Sequence, residues 1–260
     1  MRARDLALLS DAAYAAGDIA RRFWRKGARQ WDKADGAGPV TEADLAINDM
    51  LADSLRNARP DYGWLSEESP DAAPRLAARR TFIIDPIDGT RAFIAGEKTF
   101  AHSLAIADQG RIVAAVVYLP IHDTLYAATD DGAAMCNGRP IRASARVDAR
   151  DATLLTARSN MAAEHWVNAS PPPFKREFRA SLAYRLCLVA EGRYDAMLTL
   201  RPTWEWDIAA GDLIARQAGA MVTDQTGARL GFNAADPRAR GVIAAPAPLW
   251  QILHSGLNQP

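Results

Sequence analysis

At 260 residues, 49% hydrophobic and 24% charged, the chain is long enough for one large domain or two modest ones with a sizeable core, which excludes a disordered or fibrous protein. Its 31 basic and 31 acidic residues cancel, so no broad positive field exists to hold a nucleic acid polymer or an anionic membrane, and any phosphate must be gripped locally. Cys136 and Cys187 fit neither a disulfide framework nor a zinc pattern, the four histidines form no H-E-x-x-H, and no stretch has the apolar length of a membrane span or the core of a signal peptide, so a reducing cytoplasm is the expected setting.

Leu6, Leu9, Ala13, Ala16, Ala20 and Phe23 recur at spacings of three and four, which predicts an amphipathic first helix. A second helix begins near Thr41, carries Ile47, Met50, Leu51 and Leu55 on one face, and stops before Pro60. From Phe100 short β-rich runs alternate with Asp-Gln-Gly, Asp-Asp-Gly and Cys-Asn-Gly punctuation, the pattern of an antiparallel meander. Beyond about Arg142 strands alternate with helices instead: "ATLLTAR" before "SLAYRLCLVAEG", "YDAMLTL" before a helix from about Asp207 to Ala218, then "GAMVTD", "GVIAAP" and a last helix around "PLWQILHSGL". That alternation predicts a layered α/β second half. The Pro-rich "NASPPPF" at residues 168–174 reads as a surface excursion. The change of character divides the chain into an N-terminal α+β half, 1–140, and a C-terminal α/β half, 141–260, with the two free to share one core.

Four acidic clusters stand out. Each has an ordinary structural reading. In "VTEAD" (residues 40–44) Asp44 stands three after Thr41, the spacing of a capping box. "LSEES" (65–69) reads as a solvated turn opening a helix, "DPIDGT" (85–90) as a type I turn, and "WEWD" (204–207) as a helix N-cap at Asp207. Read together they say more, because each lies where an apolar run or turn gives way to a helix start, where α/β layers gather their side chains. Asp44, Glu67, Asp85, Asp88 and Asp207 are then candidates for one pocket. Unneutralised they would repel one another; hard divalent cations such as Mg²⁺ would turn them into ligands. Gly89 and Thr90 follow directly, and backbone amides at a helix start suit an anion. Carboxylates for metal beside donors for phosphate describe metal-assisted phosphoryl transfer.

The set "VTEAD", "LSEES", "DPIDGT" and "WDIAAG", in this order and at these intervals, resembles the motifs of the inositol monophosphatase superfamily, the Mg²⁺-dependent and often lithium-sensitive phosphatases. The similarity runs from the first helix to about "QAGA", and the Asp-Pro-Ile-Asp-Gly-Thr element is its most specific part. The resemblance implies a layered α-β-α-β-α sandwich, two or three Mg²⁺ ions, and a small phosphorylated metabolite as substrate, with a homodimer left open. It further implies that Glu67, Asp85 and the Ile87 carbonyl hold one metal and that Asp85, Asp88 and Asp207 hold another. Asp44 and the Thr90 hydroxyl would orient the attacking water, Glu67 would assist at the catalytic metal, and the Gly89 and Thr90 amides would face the phosphate.

Two other classes remain open at this stage. Haloacid-dehalogenase-type phosphatases carry an Asp-x-Asp-Gly-Thr element with an aspartyl nucleophile, but here the aspartates stand three apart and Glu67 lies upstream. A degenerate phosphate-binding module would be expected to have lost acidic positions, and every one is filled. Within the superfamily, inositol phosphatases usually carry a Glu seven residues before the last metal aspartate, where this chain has Leu200. "RPTWEWD" instead resembles the Pro-Thr-x-x-Trp-Asp pattern of the bacterial 3′(2′),5′-bisphosphate nucleotidases, while "ARSN" (157–160) departs from that branch's Arg-Ser-His at Asn160. Arg158, Ser159 and Arg185 are candidates for a second phosphate, against a solvated surface as the plainer reading, and Asp207 would also face the substrate.

Overall fold

The computed structural model describes residues 2–33 and 38–258. In chain order its elements are α1 (Arg2–Phe23), β1 (Gln30–Asp32), β2 (Pro39–Thr41), α2 (Glu42–Ala58), β3 (Gly63–Ser66), β4 (Arg80–Asp88), the short α3 (Thr90–Ile94), β5 (Ala101–Asp108), β6 (Arg111–Leu119), β7 (Thr124–Thr129), β8 (Met135–Cys136) and β9 (Arg139–Pro140). Then follow β10 (Thr153–Thr156), β11 (Lys175–Glu177), α4 (Leu182–Ala190), β12 (Ala196–Trp204), α5 (Glu205–Gln217), β13 (Met221–Thr223), β14 (Arg238–Ala245) and α6 (Ala247–Gly256).

A seven-stranded sheet runs β3-β4-β5-β6-β7-β8-β9, antiparallel except for the parallel pair β3 and β4. A five-stranded mixed sheet runs β11-β10-β12-β14-β13. Helices α1 and α2 cover the outer face of the first sheet through Leu9, Ile47, Phe82, Ile84 and Leu104. Helices α4 and α5 fill the space between the sheets. Helix α6 closes the far side over Leu154, Leu198 and Ile243. This is the expected α-β-α-β-α sandwich.

The sequence explains the layering. Both faces of β4 and β5 are covered by helices, so these strands are apolar almost throughout rather than alternating with polar residues. All nine residues of α4 are buried, the mark of a helix with apolar surroundings on every side. Helix α5 lies so near α4 that a Cβ on Gly211 would come 2.6 Å from the Leu186 side chain, so only glycine fits there without a shift. The middle core cluster draws on Ile83 and Val117 from before residue 140 and on Leu186, Ile214 and Val242 from after it. Two short-range expectations change. The Pro-rich stretch is not wholly a surface excursion, since Phe174 is buried and the chain goes straight into edge strand β11. Asp207 is not an N-cap: Trp204 takes that place, and Asp207 is the third residue of α5.

Candidate active site

Everything at the site hangs on the end of β4. Side chains of a regular strand alternate, so Asp85 and Asp88, three apart, would point to opposite faces of the sheet. The pairing with β5 prevents this: Asp85 lies opposite Ser103 but Asp88 opposite Ala101, leaving Pro86 and Ile87 against His102 alone. This bulge inserts one extra residue and reverses the alternation. Phe82 and Ile84 pack toward α1 and α2 while Ile83 packs toward α4 and α5; beyond the bulge it is Ile87 that joins the α1/α2 core. Asp88 therefore turns to the same side as Asp85. The His102 ring, fully buried, fixes the bulge through its Nδ1, 2.5 Å from the Pro86 carbonyl; since a carbonyl only accepts, Nδ1 carries the proton.

Glu67 and Asp207 are brought to this point by backbone. The parallel register of β3 and β4 sets Ser66 beside Ile84, and the Glu67 amide continues it by donating to the Ile84 carbonyl at 3.2 Å, so Glu67 arrives next to Asp85. The Ser103 hydroxyl donates to the Trp206 carbonyl at 2.9 Å, pinning the first turn of α5 over β5. Oxygens of Glu67, Asp85 and Asp207 all lie within 4.8 Å of one another. Asp88 stands beside them with Oδ2 already engaged by the Ser181 hydroxyl (2.6 Å) and the Ala183 amide (2.7 Å) at the start of α4.

Burial pushes the Asp85 carboxyl well above the usual carboxylate range, and Glu67, Asp88 and Asp207 push it further. Asp207 is raised likewise, by burial and then by Asp88 and Glu67. Burial lifts Asp88 to about 6, restrained by its bonds to Ser181, Ala183 and Leu182 and by Arg185 nearby. Asp85 Oδ1 is buried with no hydrogen-bond partner. Such a group is expensive to leave alone. The donor set is all oxygen, tightly grouped and short of positive charge, which suits a hard divalent ion.

Asp44 serves two purposes at once. Its Oδ2 accepts from the Thr41 amide at 2.9 Å, closing the capping box that the spacing predicts, while its Oδ1 faces the Thr90 hydroxyl at 3.2 Å. Burial raises it to about 6, partly offset by Thr41. Thr90 also reaches the Ile87 carbonyl at 3.1 Å, and with a single proton its hydroxyl donates to only one of the two at a time. Gly89 holds φ 96°, a left-handed conformation that favours glycine, and so turns the strand directly into α3.

Residues 2–259 match the sequence pattern of the inositol monophosphatase family. The chain belongs to this family. Its members are Mg²⁺-dependent phosphatases, and the chain is such an enzyme. It is 34% identical over 223 residues to the 3′(2′),5′-bisphosphate nucleotidase CysQ of Escherichia coli O157:H7, covering 84% of this chain and 89% of that one. It is 35% identical over 232 residues to an inositol-1-monophosphatase of Rhizobium meliloti, covering 85% and 86%. Among solved structures, the extragenic suppressor protein suhB of Bartonella henselae superposes with a TM-score of 0.84 at 31% identity over 96% of this chain and 97% of that one. An IMPase of Thermotoga maritima gives 0.82 at 26% identity, over 97% of each.

Around this acidic cluster the specificity candidates lie in different places. Arg185 is buried on α4, not solvated: its guanidinium lies 4.4 Å from the Phe178 ring centroid, its Nε donates to the Arg179 carbonyl at 2.5 Å, and burial lowers it to about 10 against the pull of Asp88. Arg158 and Ser159 are exposed on a single 3₁₀ turn after β10, and among the described residues no hydrogen bond or ion pair joins them to the acidic cluster. Asn160 is a buried strut, donating to Thr156 Oγ1 and accepting from Trp166 Nε1 through its carbonyl. Leu200 packs on the core beneath α6.

Three features escape sequence reading. Lys33 Nζ lies 2.7 Å from Glu67 and 2.6 Å from Glu68. Burial works against its charge, yet the two glutamates outweigh that and raise it. Glu205, two residues before Asp207, is buried and accepts from the Asn233 amide (2.6 Å) and the Ala234 amide (2.9 Å), and burial lifts it to about 7. Arg75 ties the same loop down through Asn233 Oδ1 at 2.8 Å. That loop forms one wall of a cavity of about 430 Å³ reaching from Glu67 and Asp71 to Trp204, Trp206 and Pro237. Trp204 and Trp206 stack at 4.7 Å and 9°, with the Arg238 guanidinium 5.2 Å from the Trp204 ring. No pair of distant glutamate and loop residues carries a pattern that a single sequence displays.

Proposed function

We propose that the chain is a 3′(2′),5′-bisphosphate nucleotidase, hydrolysing a compound such as adenosine 3′,5′-bisphosphate to AMP and phosphate. The observation that carries this reading is the stacked pair of Trp204 and Trp206 lining a cavity that opens directly beside Glu67. Trp204 is 40% exposed and, stacked with Trp206, presents an aromatic wall to this cavity. A planar base packing beside the pair would leave its phosphate at the acidic cluster. Arg185, close enough to Asp88 to feel its charge, is the better of the two arginine candidates for a second phosphate, and Leu200 offers no carboxylate for a polyol hydroxyl.

In this reading Glu67, Asp85, the Ile87 carbonyl, Asp88 and Asp207 hold two or three Mg²⁺ ions. Bound there, Mg²⁺ neutralises phosphate charge and acidifies water. The chain's own part is orientation. Asp44 Oδ1 accepts a hydrogen bond from the Thr90 hydroxyl, leaving the Thr90 oxygen lone pairs free to accept a hydrogen bond from the attacking water and aim it at phosphorus. The Gly89 and Thr90 amides, at the sharp turn into α3, donate to phosphoryl oxygens.

The test compares kcat/KM for adenosine 3′,5′-bisphosphate and inositol 1-phosphate in Mg²⁺, with Trp204→Ala and Arg185→Lys alongside. A preference for the bisphosphate that shrinks in both variants supports the reading. A preference for inositol 1-phosphate, or variants that leave the ratio untouched, overturns it in favour of an inositol or broad sugar phosphatase.

A further inference from the structure

Far from the acidic cluster, the other end of β4 borders a cavity of about 700 Å³ lined by Arg4, Arg59, Asp61, Tyr62, Arg79 and Arg80. Four guanidiniums in one concavity repel one another unless something holds them, and two recessed carboxylates do so. Asp5, 1% exposed, accepts from Arg59 Nε (2.9 Å) through Oδ1 and from the Tyr62 hydroxyl (3.1 Å) and Arg80 Nη1 (3.4 Å) through Oδ2. Asp108 accepts from Arg79 Nε (3.1 Å) through Oδ1 and from Arg80 Nε (2.9 Å) through Oδ2. Tyr62, whose hydroxyl also takes the second Arg80 bond at 2.8 Å, packs on Phe82 and fixes the floor.

The carboxylates therefore sit behind the arginines. Asp5 and Asp108 side chains are 1% and 14% exposed, against 74% for Arg79 and 28% for Arg59, so the accessible face is rich in N–H donors. Counting Arg4, Arg59, Arg79 and Arg80 against Asp5, Asp61 and Asp108 leaves one positive charge in excess, Asp61 being the one exposed carboxylate in the cavity's own lining. Arg79 gives Asp108 its Nε, which leaves its two terminal NH₂ groups for another acceptor, and Arg4 has no hydrogen-bond partner among the described residues. Two forks held in place by Asp5 and Asp108, those of Arg59 and Arg80, with the more open Arg4 and Arg79 around the same space, match an extended anion whose oxygens are spread over several phosphorus atoms better than a single phosphate.

We infer that this arginine-lined cavity is a second ligand site, separate from the catalytic end of β4, and that it takes a small molecule bearing a di- or triphosphate group. The rise of β4 from Arg80 to Asp85 sets the two sites apart by about 17 Å. A ligand held here touches no residue of the phosphatase centre.

Isothermal titration of the metal-free protein with sodium tripolyphosphate at physiological ionic strength tests the inference, chelator being present so that the acidic cluster repels the probe. One equivalent should bind. Arg4→Gln and Arg79→Gln should each weaken it about tenfold, one charge-assisted hydrogen bond apiece, and the double variant about 10²-fold. Both positions are on the surface, and Mg²⁺-dependent turnover without tripolyphosphate should be unchanged in all three proteins. Absence of binding, or an affinity indifferent to the double variant, overturns the site. So does an affinity that falls with Lys33→Gln instead, which would put the anion at the catalytic end.

Discussion

Asp5 on α1 and Asp85 on β4 are equally buried, each 1% exposed, and Asp5 packs beside the start of the strand that carries Asp85 near its end. Their surroundings could hardly differ more. Asp5 has Arg59, Arg80 and the Tyr62 hydroxyl around it, so its charge is answered from within the chain. Asp85 has Glu67, Asp88 and Asp207 around it and an oxygen with no partner. Burial of a carboxylate therefore marks nothing by itself; what distinguishes this end of the strand is that four carboxylates crowd together with, among the described residues, only Lys33 in an ion pair and Arg185 and Arg201 nearby to answer them.

The comparison is sharpened first by removing metal. Excess chelator should abolish turnover, and returning Mg²⁺ to the chelated protein should raise its melting temperature by several degrees, since a ligand at a hundredfold its Kd contributes about 2.7 kcal/mol. Full activity in chelator would mean that the cluster is compensated in some other way. Asp85→Asn comes next, expected to lower turnover by at least ~10²-fold while raising the melting temperature of the metal-free protein, because it removes one of the repelling charges. A lower melting temperature would show that the apo cluster is not strained by repulsion.

Thr90→Ala should slow turnover by about tenfold or more and leave the Mg²⁺-induced thermal shift intact, because the role proposed for its hydroxyl is to orient water and not to hold metal. Loss of the thermal shift would reassign Thr90 to metal binding. At the far end of the strand, Asp5→Asn should behave in the opposite way: about 2 kcal/mol of stability lost in denaturant titration, with kcat and its Mg²⁺ dependence unchanged. A variant that lost activity without losing stability would break the contrast between the two ends.

Much of this was legible beforehand where a local pattern carried it. The helix stripes of α1 and α2, the meander from β5 to β9 and the alternation after residue 150 follow from periods of 3.6 and 2 and from turn residues. The capping box of Asp44 and the turn at Gly89 are local as well. Convergence of the acidic motifs was expected from their shared place at element starts and from their joint resemblance to a family, although nothing in four short stretches says how β3, β4 and the start of α5 meet. Lys33, Glu205 and Arg75 were out of reach for the same reason: each acts on a partner brought near by the fold, Lys33 on residues 34 positions away and Arg75 on one 158 away. Trp204 as N-cap was missed because a backbone-determined cap leaves no side-chain signature.

The bulge between Asp85 and Asp88 makes this site sensitive to length in a way that substitution experiments cannot reveal. Replacing Ile87 by another aliphatic residue preserves the count; deleting either Pro86 or Ile87 does not. With one residue fewer, the strand would regain its ordinary alternation, Asp85 and Asp88 would stand two apart and still on one side, and what would be lost is the bent backbone whose Pro86 carbonyl meets His102 Nδ1 and whose Ile87 carbonyl meets Thr90. A frame-preserving loss of a single codon here should therefore disturb the carbonyls that hold His102 and Thr90, although every acidic residue is still encoded and still on its own side of the sheet.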